Sequence, residues 1–500
     1  MAADIQLGEL LDGLEVSYVG CDPRALAPRI TTREDEVKPG EFLFALPVPC
    51  DQMKKRTRPV AHDGVVITDR TVALREGQPV VYLERPVESL GVLSERILGF
   101  PAAQLKIGAV TGTNGKTTTS WLVAAMLAAA GREHTRMGTI GHSVVGHASD
   151  DDFTTPPAYL LQEILADTVA RGGRYVVMEA SSQGLLEGRL WPLKLDAIAM
   201  TNLGSDHLDL HKTVDAYREA KLLLARQHLR PGGTAVAVVD DDAPACASFL
   251  EIARSQGAAA VWRVSTTPGA DGDIRVLRAL EPLHPGHWRV EVETPLGSCD
   301  LIVPLEGRFN LANALTAIGL GIGLGLNLDE MRAGLAEAGP PPGRVAWVSE
   351  PGPDRVGVVI DSAQCPHSLA HVLPVARARA SGSLLVVTGC GGNRDSTKRP
   401  VIGRLVAGLA DRFYATCNNI RHEDPNVILA DTLAGLSAEE LRRVSPDIDR
   451  RASIRRAIAD ARPGDVVLIA GLGGQDYQTI GAERVPLDEA EIAREALASR

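Results

Sequence analysis

Short apolar runs alternate along the chain with stretches of helical periodicity. "LKIGAVTG" leads into "TTTSWLVAAMLAAAG", and "GGRYVVMEA", "LDAIAMTNL", "VDAYREAKLLLARQHL" and "GTAVAVVDDD" continue the alternation. Strand-length runs separated by helices long enough to cover them predict a doubly wound parallel sheet. A strand-rich part around "HWRVEVETPLGSCDLIVPLEG" precedes a last helical stretch, "NLANALTAIGLGIGL". The consecutive prolines of "AGPPPGRVAWV" break the pattern and mark a linker. Beyond it, "RVGVVID", "SLLVVTGCGG", "DRFYATCNN" and "DVVLIAGLG" predict a smaller α/β unit with loops at its strand ends, where such sheets bind ligands. Before residue 103 the pattern is looser, with strands predicted in "KPGEFLFAL" and "GVVITD". The fold class is therefore α/β, in three domains spanning 1–102, 103–338 and 339–500.

Composition narrows the function classes. A chain of 500 residues exceeds a single core, which agrees with several domains. Only 4% of residues are aromatic and the net charge is −11, so neither base stacking nor attraction to a phosphate polymer or anionic membrane is supported. No apolar run reaches the roughly 18–20 residues that span a bilayer. The N-terminal "MAADIQLGELLDGLEV" lacks a basic n-region and an apolar h-region. The seven cysteines contain no C-x-x-C pair and read as reduced thiols. The expectation is a cytoplasmic protein, monomeric by default, that binds neither nucleic acid nor membrane.

The stretch "GAVTGTNGKTTTSW" carries the first candidate chemistry. Lys116 and Thr117 follow Gly115 as in a phosphate-binding loop, but Val110 stands where the first glycine is usual and Gly112 comes two residues later. The context is strand, glycine turn, helix, which aims backbone N–H groups and a helix N-terminus at an anion. Gly112, Thr113, Asn114, Gly115, Lys116, Thr117 and Thr118 are the candidate nucleotide loop, with Lys116 on the terminal phosphates and Thr117 on a Mg²⁺. A tight turn with a chance lysine is the alternative.

"GTNGKTT" resembles the nucleotide loop of the Mur ligase family, ATP-dependent amide-forming enzymes related to folylpolyglutamate synthases. Further segments are similar to the family's blocks in the same order: "FTTPP", "YVVMEASSQGL", "TNLGSDHLDLH" with "DAYREAKLLL", and "GRFNLANALTA". "GCGGNRDSTKRPVIG", "NNIRHEDP" and "AGLGGQDYQ" resemble three blocks of the MurE-type enzymes, the UDP-N-acetylmuramoyl-tripeptide synthetases. The resemblance implies a central P-loop domain and a Rossmann-like C-terminal domain. It also implies that ATP activates a carboxylate as an acyl phosphate, from which an amine displaces phosphate.

Residue by residue, Glu179 ends the apolar run "RYVVME", where a carboxylate is costly unless it binds a cation or is paired. It is the expected Mg²⁺ ligand alongside Thr117. The resemblance makes His207 a ligand of a second Mg²⁺, with Asp206 and His211 as possible supports. It makes Lys221 a lysine that takes up CO₂ as a metal-binding carbamate; taken alone, Lys221 reads as a solvated helix lysine. Asn310 and Asn313 carry donors and acceptors suited to an adenine edge, which the family places against such an asparagine, or they cap a helix. Arg344 and Asp361 match family positions that reach the nucleotide from the C-terminal domain.

Thr154, Thr155, Ser181, Glu187 and Arg189 match the family's acyl-substrate positions, and Asn418, Arg421 and Gln475 its amine side. Departures cluster at both ends. "DSAQCPH" replaces a usual "DYAHTPD", Gln183 replaces a histidine, and Glu187 replaces a neutral glutamine. Ser205 replaces an arginine, and "MKKRTR" lies where a uridine loop is usual. Asn418 and Gln475 replace an aspartate and a glutamate, and Leu472 a lysine. A neutral amide recognises an ammonium group less strongly than a carboxylate does, which counts against diaminopimelate or lysine as the amine. The leading expectation is a diverged MurE-type ligase with a non-standard carboxylate and amine. A genuine tripeptide synthetase of peptidoglycan synthesis and a non-catalytic nucleotide-binding partner of another ligase are the alternatives.

Overall fold

The computed structural model describes residues 6–26, 30–31, 41–44, 62, 64–68, 70, 72, 74–149, 151, 153–204, 206–240, 243–278, 281–284 and 286–500. "MKKRTR" and Ser205 lie outside the described residues. Three main sheets form from successive stretches of chain. The first has five strands between Val16 and Leu83. It includes Phe42–Phe44 and Val66–Thr68, inside the apolar runs that predict them.

The central sheet is built on parallel strands in the spatial order Leu229–Val238, Leu195–Met200, Lys106–Thr111, Tyr175–Glu179, His134–Met137. Along Lys106–Thr111, Ile107 and Ala109 face one core and Val110 the other, as the two-residue period of a strand requires. The helix Lys116–Ala129 covers the Val110 face, where Leu122, Val123, Met126 and Leu127 are buried. The strand-rich segment becomes an antiparallel hairpin, His287–Thr294 with Gly297–Val303, extending the sheet edge.

Register places the chemistry. Glu179 lies opposite Val110, and Met200 opposite Thr111. The C-terminal ends of three adjacent strands thus open at one level, with Lys106–Thr111 between its neighbours at the point where the winding reverses. Such switch points leave a crevice outside the strand ends. The third sheet runs Ala346–Ser349, Gly357–Asp361, Val466–Ala470, Leu384–Cys390, Arg412–Cys417, Val444–Pro446, parallel except for its first strand. Among the described residues, no helix is long and apolar enough to cross a membrane.

Candidate active site

The glycine spacing of the loop has a steric cause. Gly112 (φ 148°) and Gly115 (φ 87°) both lie in a region that L side chains rarely adopt. A Cβ on Gly112 would collide with the Thr201 hydroxyl, and one on Gly115 with the Asn313 side-chain oxygen. The wall pressing on the loop is the "TNL" segment. Thr113 N–H donates to Asn202 O (3.0 Å), Asn114 N–H to Asn202 Oδ1 (3.0 Å), and Thr201 Oγ1 to Asn114 O (2.6 Å). Thr201 and Asn202 were not among the residues the sequence singles out, although they sit inside a motif it does.

Lys116 Nζ turns back to donate to Gly112 O (2.8 Å) and Thr113 O (3.1 Å). Lys221 Nζ donates to the same Gly112 O (2.8 Å) and lies 4.2 Å from the centre of the Tyr217 ring. Lys221 is only 1% exposed, so the solvated-lysine alternative falls. Among the described residues, no carboxylate forms an ion pair with either lysine. Burial, and then the Lys116 charge, hold the Lys221 amine well below its ordinary pKa, with Asp206 opposing. Burial lowers Lys116 too, against the pull of Glu179 and Asp206.

Glu179 is fully buried and accepts from Thr139 N–H (2.9 Å) and Thr139 Oγ1 (3.1 Å). Arg344 crosses from the C-terminal domain to donate to Thr117 Oγ1 (3.3 Å). Asp361 accepts from the N–H groups of Val345 (2.9 Å) and Ala363 (2.8 Å). Its carboxylate therefore shapes the chain that carries Arg344. Burial raises the Asp361 pKa, with Arg344 opposing. His367 reaches the loop as well, accepting at Nδ1 from Asn114 Nδ2 (2.8 Å).

His207 (φ 53°) stands at the start of the turn Leu208–His211, its side chain about half exposed. Desolvation in the cleft, with Lys116, Lys221 and Lys398 adding and Asp206 opposing, holds its pKa below the ordinary histidine value. Lys398 donates to Asp206 Oδ1 (3.2 Å), again from the C-terminal domain. His211 Nε2 lies 3.0 Å from Ser182 Oγ. Asn310 sits one turn behind the loop. Its Nδ2 donates to Glu306 O (2.7 Å) and its Oδ1 accepts from Asn313 Nδ2 (3.0 Å). Of the two asparagines it is Asn313 that meets the loop, at Gly115.

The acyl-side candidates form one cluster beside Glu179. Thr155 Oγ1 donates to Glu179 O (2.8 Å) and Ser181 Oγ (3.1 Å), and Thr154 Oγ1 is hydrogen-bonded to Thr139 Oγ1 (3.0 Å). Arg189 donates to Thr155 O (2.8 Å) and, through Nε, to Glu187 Oε2 (2.8 Å). Gln183 Nε2 completes the set on Glu187 Oε1 (2.8 Å). Two departures from the family pattern, Gln183 and Glu187, are thus each other's partners.

On the amine side the structure separates residues that the motif groups. Asn418 is 3% exposed and turned into the domain. Its Nδ2 donates to Gly389 O (3.0 Å) and its Oδ1 accepts from Arg450 Nη1 (3.0 Å). Arg450 is itself paired with the buried Glu489 (2.6 Å). Asn418 is therefore a buried tie, not a substrate contact, and an aspartate could not make the Gly389 bond. The partly exposed neighbours are Asn419, whose Nδ2 donates to Gln475 Oε1 (3.2 Å), and Arg421, which donates to Gly392 O (2.9 Å). Burial first, then the nearby Arg394 charge, lower the Arg421 pKa, with Asp209 opposing. Arg394, missed in the sequence, donates across the domain boundary to Asp209 Oδ2 (3.4 Å).

Known families match most of the chain. The Mur ligase middle domain matches residues 110–321 and the Mur ligase glutamate ligase domain residues 343–473. A UDP-N-acetylmuramoyl-L-alanyl-D-glutamate–2,6-diaminopimelate ligase of Gloeobacter violaceus is 36% identical, covering 94% of this chain and 94% of its own. The enzyme of the same name from Thermosynechococcus vestitus is 39% identical over 85% of this chain and 84% of its own. A solved structure of that name superposes with a TM-score of 0.65 at 28% identity, over 100% of this chain and 99% of the other. The chain belongs to the Mur ligase family, with its three-domain architecture, and is an ATP-dependent acid–amino-acid ligase.

Proposed function

We propose that the chain joins an amino acid to UDP-N-acetylmuramoyl-L-alanyl-D-glutamate, the tripeptide-forming step of peptidoglycan synthesis, using ATP, two Mg²⁺ ions and a carbamate on Lys221. The observation that carries the reading is the name shared by relatives 34–39% identical over most of the chain. That shared name favours the tripeptide-synthetase alternative over the expectation of a non-standard substrate pair. That expectation rested in part on the charge lost at Asn418, and Asn418 is core. Gln475 remains as a neutral pocket residue, so diaminopimelate is the first amine to test, with a weaker grip on its distal ammonium than a glutamate would give.

The residues fit the absent ions. Glu179 is a buried carboxylate with donors from one residue only, Thr139, among the described contacts, and it closes a strand beside Thr117. Thr117 and Glu179 would hold one Mg²⁺, and His207 with carbamylated Lys221 the other. Bound Mg²⁺ supplies charge neutralisation to the phosphoryl group in transfer. The chain's own groups do the rest. Loop N–H groups and Lys116 hold the phosphates. Ser181, Thr155 and Arg189 line the wall on which the acyl substrate lies. Its carboxylate oxygen attacks the γ-phosphorus and ADP leaves. The amine nitrogen then attacks the acyl carbon, inorganic phosphate leaves, and the ammonium proton passes to solvent or phosphate. Arg394 and Arg421 orient the carboxylate end of the amine. Arg344 on Thr117 and His367 on Asn114 seat the C-terminal domain over the loop, keeping water from the acyl phosphate.

The test is phosphate release from ATP and Mg²⁺ with the UDP-N-acetylmuramoyl-dipeptide, screened against diaminopimelate and the common amino acids. Amine-dependent turnover with a mass-confirmed tripeptide product is expected. ATP binding without turnover for any amine would reject the reading and leave another carboxylate as the substrate.

A further inference from the structure

Arg399 is among the largest wholly buried side chains, at 1% exposure, and no step of the reaction uses it. It also opens the helix Arg399–Leu409, the end of a helix least suited to a cation, so strong partners must hold it there. Nη1 donates to Glu423 Oε1 (2.7 Å) and Asp431 Oδ2 (2.9 Å); Nη2 donates to Glu423 Oε2 (2.8 Å) and Gly391 O (3.2 Å). Glu423 Oε2 accepts in addition from Asn393 N–H (2.7 Å). A single bidentate ion pair thereby fastens the loop 391–394 to the loop 418–423.

Other bonds zip the same two loops. His422 N–H donates to Asn393 Oδ1 (3.0 Å), Gly392 N–H to Asn419 O (2.9 Å) and Arg421 Nη1 to Gly392 O (2.9 Å). Each loop holds one non-glycine residue in the left-handed region, Asn393 at φ 51° and Arg421 at φ 52°. That backbone persists only where its surroundings over-determine it. The loops carry Arg394 and Arg421, close enough for one charge to lower the pKa of the other. Asp209, paired with Arg394 across the domain boundary, offsets part of their mutual repulsion.

We infer that Arg399 and Glu423 are a positioning pair: their ion pair sets the spacing of Arg394 and Arg421 for the carboxylate of the incoming amino acid. The inference rests on the proposed function, in which a carboxylate-bearing amine enters between these loops. Bidentate recognition depends on geometry, so a displaced guanidinium forfeits affinity for the amine while leaving the ATP loop unaffected.

The experiment uses full-length Glu423→Gln and Arg399→Lys, with diaminopimelate or whichever amino acid the wild type accepts. Glu423→Gln removes the charge and one acceptor but keeps the shape. The expected result is a KM for the amino acid raised roughly tenfold or more, with KM for ATP and for the UDP-linked substrate unchanged and kcat little altered. An unchanged amine KM overturns the inference, as does a rise in all three KM values together with a fall in Tm. Hydrogen exchange on the unliganded protein reads the clamp without turnover. Segments 389–398 and 417–424 should exchange several-fold faster in Glu423→Gln than in wild type, and segment 108–118 should not; equal exchange overturns the clamp. A wild type that turns over no amino acid defeats the proposed function, and the exchange experiment still decides the clamp.

Discussion

Lys116 and Lys221 donate to one acceptor, the carbonyl oxygen of Gly112, each across 2.8 Å. Two ammonium groups on one neutral oxygen, away from bulk water, leave excess positive charge beside the glycine loop. The arrangement favours the neutral amine on Lys221, the form that adds CO₂.

Removing that amine should stabilise the fold while abolishing turnover. Because the folded pKa of Lys221 is depressed, the unfolded chain binds the extra proton between the folded value and about 10.4. Wild-type stability from this residue is therefore lowest below the folded pKa and recovers as pH rises through that window. In bicarbonate-free buffer, Lys221→Met should raise Tm at pH 7, by ~2–4 °C per kcal/mol relieved. The gap should close towards pH 10.5, as followed by calorimetry. A gap independent of pH would contradict the assignment.

Glu187 occupies Arg189 and offsets its charge. Glu187→Gln should release the guanidinium towards an anionic acyl substrate and lower its KM by roughly 3–10-fold, with kcat and KM for ATP unchanged. Steady-state kinetics with the UDP-linked dipeptide check this.

The His367–Asn114 hydrogen bond ties the C-terminal domain to the nucleotide loop. His367→Ala should raise KM for ATP by roughly 3–10-fold, the loss of about one hydrogen bond. Tm should change little, because the ring sits between domains and not in a core. Nucleotide titration and scanning calorimetry on the same variant separate the two effects.

Asn418→Asp would restore the residue usual in the family's loop, yet here it should be harmful. The new carboxylate would face Gly389 O with no proton to donate, at a cost of about 1–3 kcal/mol in stability. KM for the amino acid should stay unchanged. Denaturant unfolding and amine kinetics together distinguish a buried tie from a substrate contact.

What could be read in the chain depended on how local its cause was. Gly112 and Gly115 were legible because a strand, a left-handed turn and a helix start follow one another within ten residues. Lys221 was ambiguous on its own helix, since its burial comes from the distant Gly112 loop and the Tyr217 ring. Asn418 was misread for a related reason. A motif gives a position, but the direction of a side chain at a strand end is set by what lies behind it, here Arg450 and Gly389. Asn310 and Asn313 differ by one helical turn, and only packing against Gly115 tells them apart. The strands expected in "KPGEFLFAL" and "GVVITD" are present at Phe42–Phe44 and Val66–Thr68, because short apolar runs bounded by turn residues are a local signal. His367 was legible only as a departure within "DSAQCPH", and Arg394 not at all, because each works across a domain boundary.

On the proposed reading, the two halves of the reaction would draw on different sheets. The loop 112–118 and the Thr155–Ser181–Arg189 cluster grow from the ends of the central strands, whereas Asn419, Arg421 and Gln475 stand at strand ends of the sheet beyond the triple-proline linker. Substitutions confined to that downstream sheet would then change which amine is accepted while the glycine turn and its lysine stay as they are.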